Sequence, residues 1–257
     1  MELEKTTYDE ALALFKEYFN QFRCGIDGYY EKRILNGKHY KLIDTEPVGI
    51  VSINDGQLTG FYIFDNHTVK YKEYFNFILN QDDVNRILFS TIDTKLHKEI
   101  RDRNLKIEYQ AYNFVYSFQV NTDFHMELAT KKHLGFLKDN FTDFIKQSIG
   151  CSLETFSKKI DNSEIFIGYN TKGAPISMGL IEQMILNPNR YCLGMIVLEN
   201  HRKKGYGVKT LKFLIKNLQE RNKEVNARCW YYNEASRRTL LRAGFEESNL
   251  LLRVEEI

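Results

Sequence analysis

The sequence predicts an α/β fold of the α+β type, built from two tandem units that each hold a mixed, mostly antiparallel sheet flanked by helices. Two observations predict it. The C-terminal half reads as a three-strand meander followed by helix, strand, helix and strand, and the N-terminal half repeats much of that order. The chain of 257 residues is 43% apolar, which is enough for packed cores of this size.

The meander occupies residues 164–198. Two strand-like runs, "EIFIGYN" and "ISMGLIEQMIL", are joined by "TKGAP", whose Gly173 and Pro175 suit a tight turn. The segment "NPNR" supplies a second turn before the third run, "YCLGMIVL". Short turns between consecutive strands favour antiparallel pairing.

An amphipathic helix follows the meander, because apolar residues recur at helical spacing after Gly207 while lysines fall on the other side. A β-rich run, "EVNARCWYY", comes next. The segment "NEASRRTLLRAGF" then predicts a second helix, with Asn233 as its N-cap and Gly244 as its stop. The chain finishes on a predicted strand, "LLLRV".

The N-terminal half has a similar order of elements. A helical region to about residue 35 precedes three strand-like runs at 39–44, 48–53 and 58–64. A helix near 71–79, a strand at 86–92, a further helix and a strand at 105–116 follow. The letters "FDNH" at 64–67 and "LENH" at 198–201 each stand between a strand and a helix. We therefore predict a duplication, with domains at 1–118 and 119–257. No low-complexity linker separates them, so the two units are expected to share a continuous sheet.

Composition excludes several classes of function. The 36 basic and 34 acidic side chains give no electrostatic case for a nucleic-acid or membrane partner of the whole chain, and no run approaches the ~18 apolar residues of a membrane span. We expect a cytoplasmic protein, and the sequence leaves its oligomeric state open. The four cysteines, Cys24, Cys151, Cys192 and Cys229, are widely spaced, which predicts reduced core thiols and no metal site.

The stretch "MIVLENHRKKGYGVKT" at 195–210 carries the strongest local signal. A strand ending at Leu198 leads through three basic residues, 202–204, into a helix that starts near Tyr206. Backbone N–H groups at a helix N-terminus bind anions, and Gly205 and Gly207 let a phosphate approach the main chain. The segment therefore predicts a pyrophosphate site, although a solvated basic turn would have the same letters.

Other phosphate motifs fit the stretch less well. A P-loop ends in Gly-Lys-Ser/Thr at longer spacing, and the dinucleotide fingerprint needs a third glycine where Thr210 stands. The preceding meander also lacks the parallel βαβ unit of those folds.

Together these segments resemble the GNAT superfamily of acetyl-CoA-dependent N-acyltransferases. The coenzyme loop of that family reads R/Q-x-x-G-x-G/A, and Arg202, Gly205 and Gly207 fill it. The later N-x-x-A/S…G-F element of the family is matched by Asn233, Ser236, Gly244 and Phe245. The N-terminal loop "NHTVKYKEY" has no glycine, so that half looks like a degenerate copy. Tandem arrangements of this kind resemble the zwittermicin-resistance type of acetyltransferase.

The resemblance implies acetyl-CoA as the cofactor and a splayed strand whose backbone binds the pantetheine arm and the thioester carbonyl. The residues expected at the coenzyme on this basis are Ile196, Val197, Leu198, Arg202, Lys203, Lys204, Gly205, Tyr206, Gly207, Val208, Asn233 and Ser236. The first three would act through their backbone.

The catalytic groups are less clear from the resemblance. Many members place a glutamate near the start of the splayed strand, where this chain has Tyr191 and Cys192. Glu182 on the preceding strand is the best acidic candidate for the general base, and Tyr191 is the second catalytic candidate. The usual leaving-group tyrosine is replaced by Leu240, so another hydroxyl serves or the thiolate leaves unaided.

These residues predict an N-acetyltransferase that acts on a primary amine of a small, antibiotic- or metabolite-like molecule, with the N-terminal half shaping the acceptor cleft. Three alternatives stay open. In the first, the chain is an acyl-CoA-binding module without turnover. In the second, it acetylates protein N-termini. In the third, its basic helix "RKKGYGVKTLKFLIKNL" docks on nucleic acid or an acidic membrane.

Overall fold

A computed structural model describes residues 1–149 and 153–257. Its strands are β1 Glu2–Lys5, β2 Lys38–Asp44, β3 Glu46–Asn54, β4 Gln57–Ile63, β5 Arg86–Ser90, β6 Ile107–Tyr116, β7 Met126–Leu128, β8 Ile165–Tyr169, β9 Pro175–Gln183, β10 Arg190–Val197, β11 Glu224–Trp230 and β12 Glu246–Val254. Its α-helices are α1 Tyr8–Asn20, α2 Gly28–Leu35, α3 Tyr71–Leu79, α4 Thr94–Asp102, α5 Leu134–Ile149, α6 Leu153–Asp161, α7 Tyr206–Gln219 and α8 Glu234–Ala243.

The strands of the described chain form one sheet in the order β1-β2-β3-β4-β5-β12-β6-β11-β10-β9-β8-β7. Two neighbouring pairs, β4 with β5 and β10 with β11, are parallel, and the other pairs in this sheet are antiparallel. The predicted continuous sheet and its mixed, mostly antiparallel character are confirmed. Each half contributes one parallel pair at the same place in its order of elements.

The halves exchange their last strands. β6 follows the N-terminal elements in the chain, yet it pairs with β11 and β12, and β12 pairs in turn with β5. Ala111 on β6, for example, lies opposite Trp230 on one side and Leu251 on the other. Because each terminal strand is hydrogen-bonded within the sheet of the other half, neither half completes its sheet alone.

The predicted helix signals in the C-terminal half are confirmed. Asn233 caps α8 by accepting a hydrogen bond from the Ser236 N–H at 3.0 Å, and Gly244 ends the helix with φ of 100°. The edge strands β1 and β7 and the helix pair α5 and α6 were not predicted from the sequence. The two edge strands are only 4 and 3 residues long, too short to show a period of two.

Helices cover both faces of the sheet. In the N-terminal half, α3 and α4 pack on one face around Phe75 and Ile100, while α1 and α2 pack on the other around Phe15 and Ile34. The second of these cores continues across the sheet to Met184 and Leu186 of the C-terminal half. The apolar interior therefore joins the two halves on the face covered by α2.

Three of the four cysteines lie in the described part of the chain. Cys229 is buried, Cys24 and Cys192 are half-buried, and all three are free thiols. Cys151 lies outside the described residues. No helix in the described ranges is long and apolar enough to cross a membrane.

Candidate active site

The sheet opens between β10 and β11. β10 pairs with β9 along its length as far as Val197, but it pairs with β11 only from Arg190 to Leu193. Beyond Leu193 the two parallel strands diverge, so the edge of β10 that faces β11 has no strand partner there. This fork supplies unpaired backbone donors and acceptors to anything that enters it.

Backbone direction decides which residues serve that open edge. The Leu198 N–H donates to the Ile176 carbonyl beside β9 at 2.9 Å. Since backbone groups alternate between the two sides of a strand, Met195 and Val197 direct their N–H and C=O groups toward the fork. The Val197 carbonyl indeed accepts a hydrogen bond from Arg202 Nε at 3.2 Å on that side. The backbone groups of Met195 and Val197 therefore point toward the fork. The backbone groups of Ile196 and Leu198, which were predicted to bind the coenzyme, point toward β9 instead.

The loop after β10 has the geometry of an anion site. Gly205, immediately before α7, has φ of 81°, and a Cβ placed on it would meet no atom within 4 Å. Its backbone needs the left-handed region, and the space beside it is open. Gly207 differs, because a Cβ there would lie 3.0 Å from the Thr239 side chain and 3.3 Å from that of Met195. Gly205 thus shapes the open loop, and Gly207 allows close packing.

The other predicted loop residues surround this helix start. Lys203 and Lys204 are exposed, and the Lys204 ammonium donates to the Asn200 carbonyl at 2.9 Å. Tyr206 and Val208 are half-buried and pack against the apolar cluster beneath α7. The positive end of α7 and two exposed ammonium groups therefore lie together at the end of the fork.

A cavity of about 650 Å³ lies at the fork, between α2 on one face of the sheet and α7 and α8 on the other. Both halves line it. The lining side chains with polar or aromatic groups include Asp27, Tyr29, Lys32, Arg33, Glu182, Cys192, Arg228, Trp230, Asn233 and Ser236. Leu193, Gly194 and Met195 also contribute to its wall, so the cavity reaches the point where β10 and β11 diverge.

Polar contacts fix α2 over this cavity. Asp27 caps the helix by accepting from the Tyr29 and Tyr30 N–H groups at 2.8 and 3.1 Å. The Glu31 carboxylate accepts from the backbone N–H groups of Ile185 and Leu186 at 3.0 and 2.7 Å. These bonds join the N-terminal half to the segment after β9. The wall formed by α2 is therefore part of a rigid interface between the halves.

Glu182, the predicted general base, lines the cavity and lies in a cluster of charged side chains. Its Oε1 accepts from the ammonium groups of Lys32 at 2.8 Å and Lys159 at 3.1 Å. Burial raises the pKa of this carboxyl, but the two lysines outweigh that effect and hold the pKa below its usual value. Glu182 is consequently ionised at neutral pH and is a weak base where it stands. Its Oε2 accepts no hydrogen bond from the described residues.

The contribution of Glu182 to stability should depend on pH in a defined window. A carboxyl whose folded pKa is depressed stabilises the fold above its unfolded value of about 4.5, and the stabilisation is lost as pH falls through the folded pKa. We expect the free energy of unfolding of Glu182→Gln to fall below that of the unchanged protein by a constant amount between pH 8 and 5.5. The gap should narrow below pH 4.5 in urea melts, and a gap that stayed constant to pH 3 would contradict this assignment.

The structure does not bring Tyr191, the second catalytic candidate, to the cavity. Tyr191 does not line the cavity, because it stands where β10 is still paired with β11, and its side chain packs against the apolar cluster beneath α7 and α8. Burial raises the pKa of the Cys192 thiol to about 12, with Asp27 adding to the effect. Cys192 therefore stays protonated at neutral pH.

Three predicted residues around α8 line the cavity. Asn233 and Ser236 are at its wall, and so is Leu240, at the position where the family has its leaving-group tyrosine. The tyrosines that follow β11, Tyr231 and Tyr232, do not line the cavity, and Tyr231 stacks on Tyr109 and Tyr112 with ring centroids 4.6 and 4.8 Å away. Of these three hydroxyl residues, Ser236 is the one that lines the cavity.

Sequence reasoning missed the residues that α2 and β11 bring to the site. Asp27 and Lys32 belong to the N-terminal half, where no motif marks them. Arg228 had a signal of its own, because it is a charged residue on an otherwise largely buried strand and shares a face with Trp230. The exposed backbone of Met195 could be found only once the pairing with β9 was known.

The equivalent region of the N-terminal half is closed. β4 pairs with β5 only at Gln57 and Leu58, but every residue of β4 is buried, whereas β10 has half-buried residues along the fork. Phe61 packs edge-on against Tyr71 of α3 with ring centroids 5.1 Å apart, and Tyr62 stacks on Tyr18. Aromatic side chains occupy this part of the N-terminal half.

Comparisons with known proteins agree with this geometry. A family profile described as "Acetyltransferase (GNAT) domain" matches residues 7–117, and one described as "Acetyltransferase (GNAT) family" matches residues 134–245. No curated protein sequence matches the chain. The chain is also similar in structure to an acetyltransferase of the GNAT family from Colwellia psychrerythraea, at 20% identity over 100% of both chains and a TM-score of 0.86.

Two further structures share the fold over nearly their whole length. A tandem GNAT protein from the clavulanic acid biosynthesis pathway is 8% identical, with 98% of this chain and 97% of that chain covered and a TM-score of 0.63. A GCN5-related N-acetyltransferase from Sphaerobacter thermophilus is 10% identical, with 98% and 94% covered and a TM-score of 0.62. At these identities the likeness shows the fold alone.

A forked parallel strand pair that ends in a glycine-containing anion loop is the architecture of an acyl-CoA transferase. With a GNAT profile matched in each half, the chain belongs to the GNAT family of N-acetyltransferases and carries two GNAT domains in tandem. The resemblance drawn from the two C-terminal motifs is thereby confirmed.

Proposed function

We propose that the protein transfers the acetyl group of acetyl-CoA to a primary amine of a small molecule, at one site in the C-terminal half. The observation that carries this proposal is continuity along β10. Its fork reaches the anion loop at one end and the cavity between the halves at the other. An elongated ligand with a phosphate group at one end and a reactive group at the other fits such a path.

The residues present fit acetyl-CoA. Gly205, Lys203, Lys204 and the start of α7 would hold the pyrophosphate, and the open edge of β10 would pair with the amide groups of the pantetheine arm. When bound, acetyl-CoA supplies an acetyl group activated as a thioester. The N–H of Met195 faces the fork beside the cavity and is the donor that we assign to the oxyanion.

The reaction needs no further co-reactant. The ammonium of the acceptor loses a proton, its nitrogen attacks the thioester carbonyl, and a C–N bond forms as the C–S bond breaks. The second proton of the nitrogen passes to the departing thiolate, which leaves as the free thiol of CoA. Glu182 is too acidic to serve as a strong base, so we assign it to electrostatic attraction of the ammonium, with the proton lost to water.

The N-terminal half serves as a wall rather than a second catalytic unit. Its β4 is buried and its loop after β4 has no glycine, which supports a degenerate copy. The size of the cavity, about 650 Å³, suits a small acceptor better than a polypeptide chain. The antibiotic-like acceptor suggested by the tandem arrangement stays a prediction.

One observation favours a second function, an acyl-CoA-binding module without turnover. Leu240 removes the usual leaving-group hydroxyl, and the acidic candidate Glu182 is held by two lysines. This function differs from the first only in its lack of turnover.

Calorimetric titration of acetyl-CoA into the purified protein tests the proposal, followed by a thiol assay for CoA release with a panel of primary amines. We expect one site per chain and release of CoA with at least one amine. Failure to bind acetyl-CoA would contradict the proposed site. Binding without CoA release across the panel would favour the non-catalytic function.

A further inference from the structure

Arg228 is a guanidinium held in place inside the cavity with part of its hydrogen-bonding capacity unused. Its Nη1 lies 3.3 Å from Asp27 Oδ1, and its side chain is 12% exposed. Its Nε and Nη2 have no hydrogen-bond partner among the described residues, and neither atom is sealed off by protein. A half-buried guanidinium in a cavity, with donors that no protein group accepts, can bind an anionic group.

The surroundings of Arg228 fix its orientation. The Tyr29 ring lies with its centroid 4.6 Å from the guanidinium carbon, and the Trp230 ring lies 4.5 Å from it. Aromatic contacts of this kind cover the flat face of a guanidinium and leave its edge, where the N–H donors point. Asp27 takes one donor on that edge. The N–H of Nε and one N–H of Nη2 lie side by side in the fork geometry that matches a carboxylate.

Glu182 provides the complementary group across the cavity. Glu182, Cys192 and Asn226 lie opposite one another on β9, β10 and β11, and Arg228 is two residues further along β11 on the same face. The backbones of β9 and β11 are about 10 Å apart, which is two strand spacings. Both lysines bind Oε1 of Glu182, so Oε2 remains for a cationic group.

Resting on the proposed function, we infer that the acceptor is a free amino acid, whose ammonium binds Glu182 Oε2 and whose carboxylate binds Nε and Nη2 of Arg228. An amine without a carboxylate would leave these donors unmatched and would meet the positive charges of Lys32 and Arg228. The arrangement also holds the amine beside Gly194 and Met195, where the fork begins. Asp27 acts as a positioning residue, because it touches Arg228 and not the acceptor.

The test compares matched pairs of acceptors. The twenty common L-amino acids, β-alanine and 4-aminobutyrate are assayed for CoA release with acetyl-CoA, each beside the corresponding amine that lacks the carboxylate, such as phenylalanine with phenethylamine. At least one amino acid should be acetylated with kcat/KM about 100-fold above that of its amine, because an unpaired guanidinium in the site costs that much. Equal or better turnover of the amines would overturn the inference.

Arg228→Lys separates recognition from folding. Lysine keeps the charge beside Asp27 but loses the planar fork, so the advantage of the amino acid over its amine should fall to within a few-fold, mainly through KM, while acetyl-CoA affinity is unchanged. Arg237→Lys is the matched control, since Arg237 also lies over a tyrosine ring, at 4.4 Å from Tyr112, and pairs with a carboxylate, Glu247, outside the cavity. Its discrimination should equal that of the unchanged protein.

The remaining outcomes distinguish this inference from the proposed function. Acetyl-CoA binding with no amino acid turned over, and none shifting the melting temperature of the acetyl-CoA-loaded protein, would overturn the inference and leave the coenzyme site standing. Discrimination that survives Arg228→Lys would also overturn it. Absence of acetyl-CoA binding would contradict the proposed function itself.

Discussion

Gly205→Asp is expected to lower the affinity for acetyl-CoA by on the order of 100-fold or more. A residue with a Cβ at φ of 81° costs about 1–2 kcal/mol in backbone strain. The added carboxylate would also stand at the positive end of α7, where the pyrophosphate is proposed to bind, and repel it. Calorimetric titration with acetyl-CoA measures the change directly.

Gly173→Asp is the matched control for this substitution. Gly173 has φ of 77° and, like Gly205, a Cβ on it would meet no atom within 4 Å, but it lies in the exposed turn between β8 and β9. Both variants carry the same backbone strain, but Gly205→Asp should lose less thermal stability than Gly173→Asp, because a carboxylate at the N-terminus of α7 stabilises that helix. If Gly173→Asp weakened acetyl-CoA binding as much as Gly205→Asp, backbone strain rather than a local anion site would explain the loss.

The second large effect concerns the exchanged strands. A fragment of residues 119–257 spans the predicted C-terminal domain but lacks β6, which pairs with both β11 and β12. Without β6, β11 and β12 each have an unpaired edge. The C-terminal core also lacks the buried side chain of Phe114. We expect this fragment to show no cooperative thermal unfolding by circular dichroism and to aggregate.

A fragment of residues 107–257 is the comparison, because it restores β6 and with it an unbroken sheet from β7 to β12. It should unfold cooperatively, although below the melting temperature of the full chain, since the contacts of Met184 and Leu186 with the N-terminal core are absent. Cooperative unfolding of 119–257 with the same melting temperature as 107–257 would show that β6 is dispensable.

The elements of this fold could be predicted where the sequence has strong local signals. The meander at 164–198, the caps Asn233 and Gly244 and the loop with Gly205 depend on turn chemistry and periodicity within a few residues. The exchange of β6 and β12 could not be predicted in this way. The apolar alternation of each strand would be the same whichever strand it paired with. Tertiary packing therefore decides which partner it takes.

The candidate site also has a part that local sequence signals predict and a part that they do not. Residues of the coenzyme loop are consecutive in the chain, so a motif finds them. The acceptor cavity combines Lys32 with Glu182, 150 residues away, and Asp27 with Arg228, 201 residues away. Tyr191 lies away from the cavity because β10 and β11 are still paired there, and the sequence does not reveal where that pairing ends.

The order of strands also has a consequence for synthesis of the chain on the ribosome. β5 of the N-terminal half is paired by β12, Glu246–Val254, so that edge of β5 stays unpaired until β12 has been made. An uncovered strand edge invites wrong pairing with other chains. The N-terminal half is therefore incomplete while residues 91–245 are made, and we expect protection of this edge during that interval to affect how much protein is recovered.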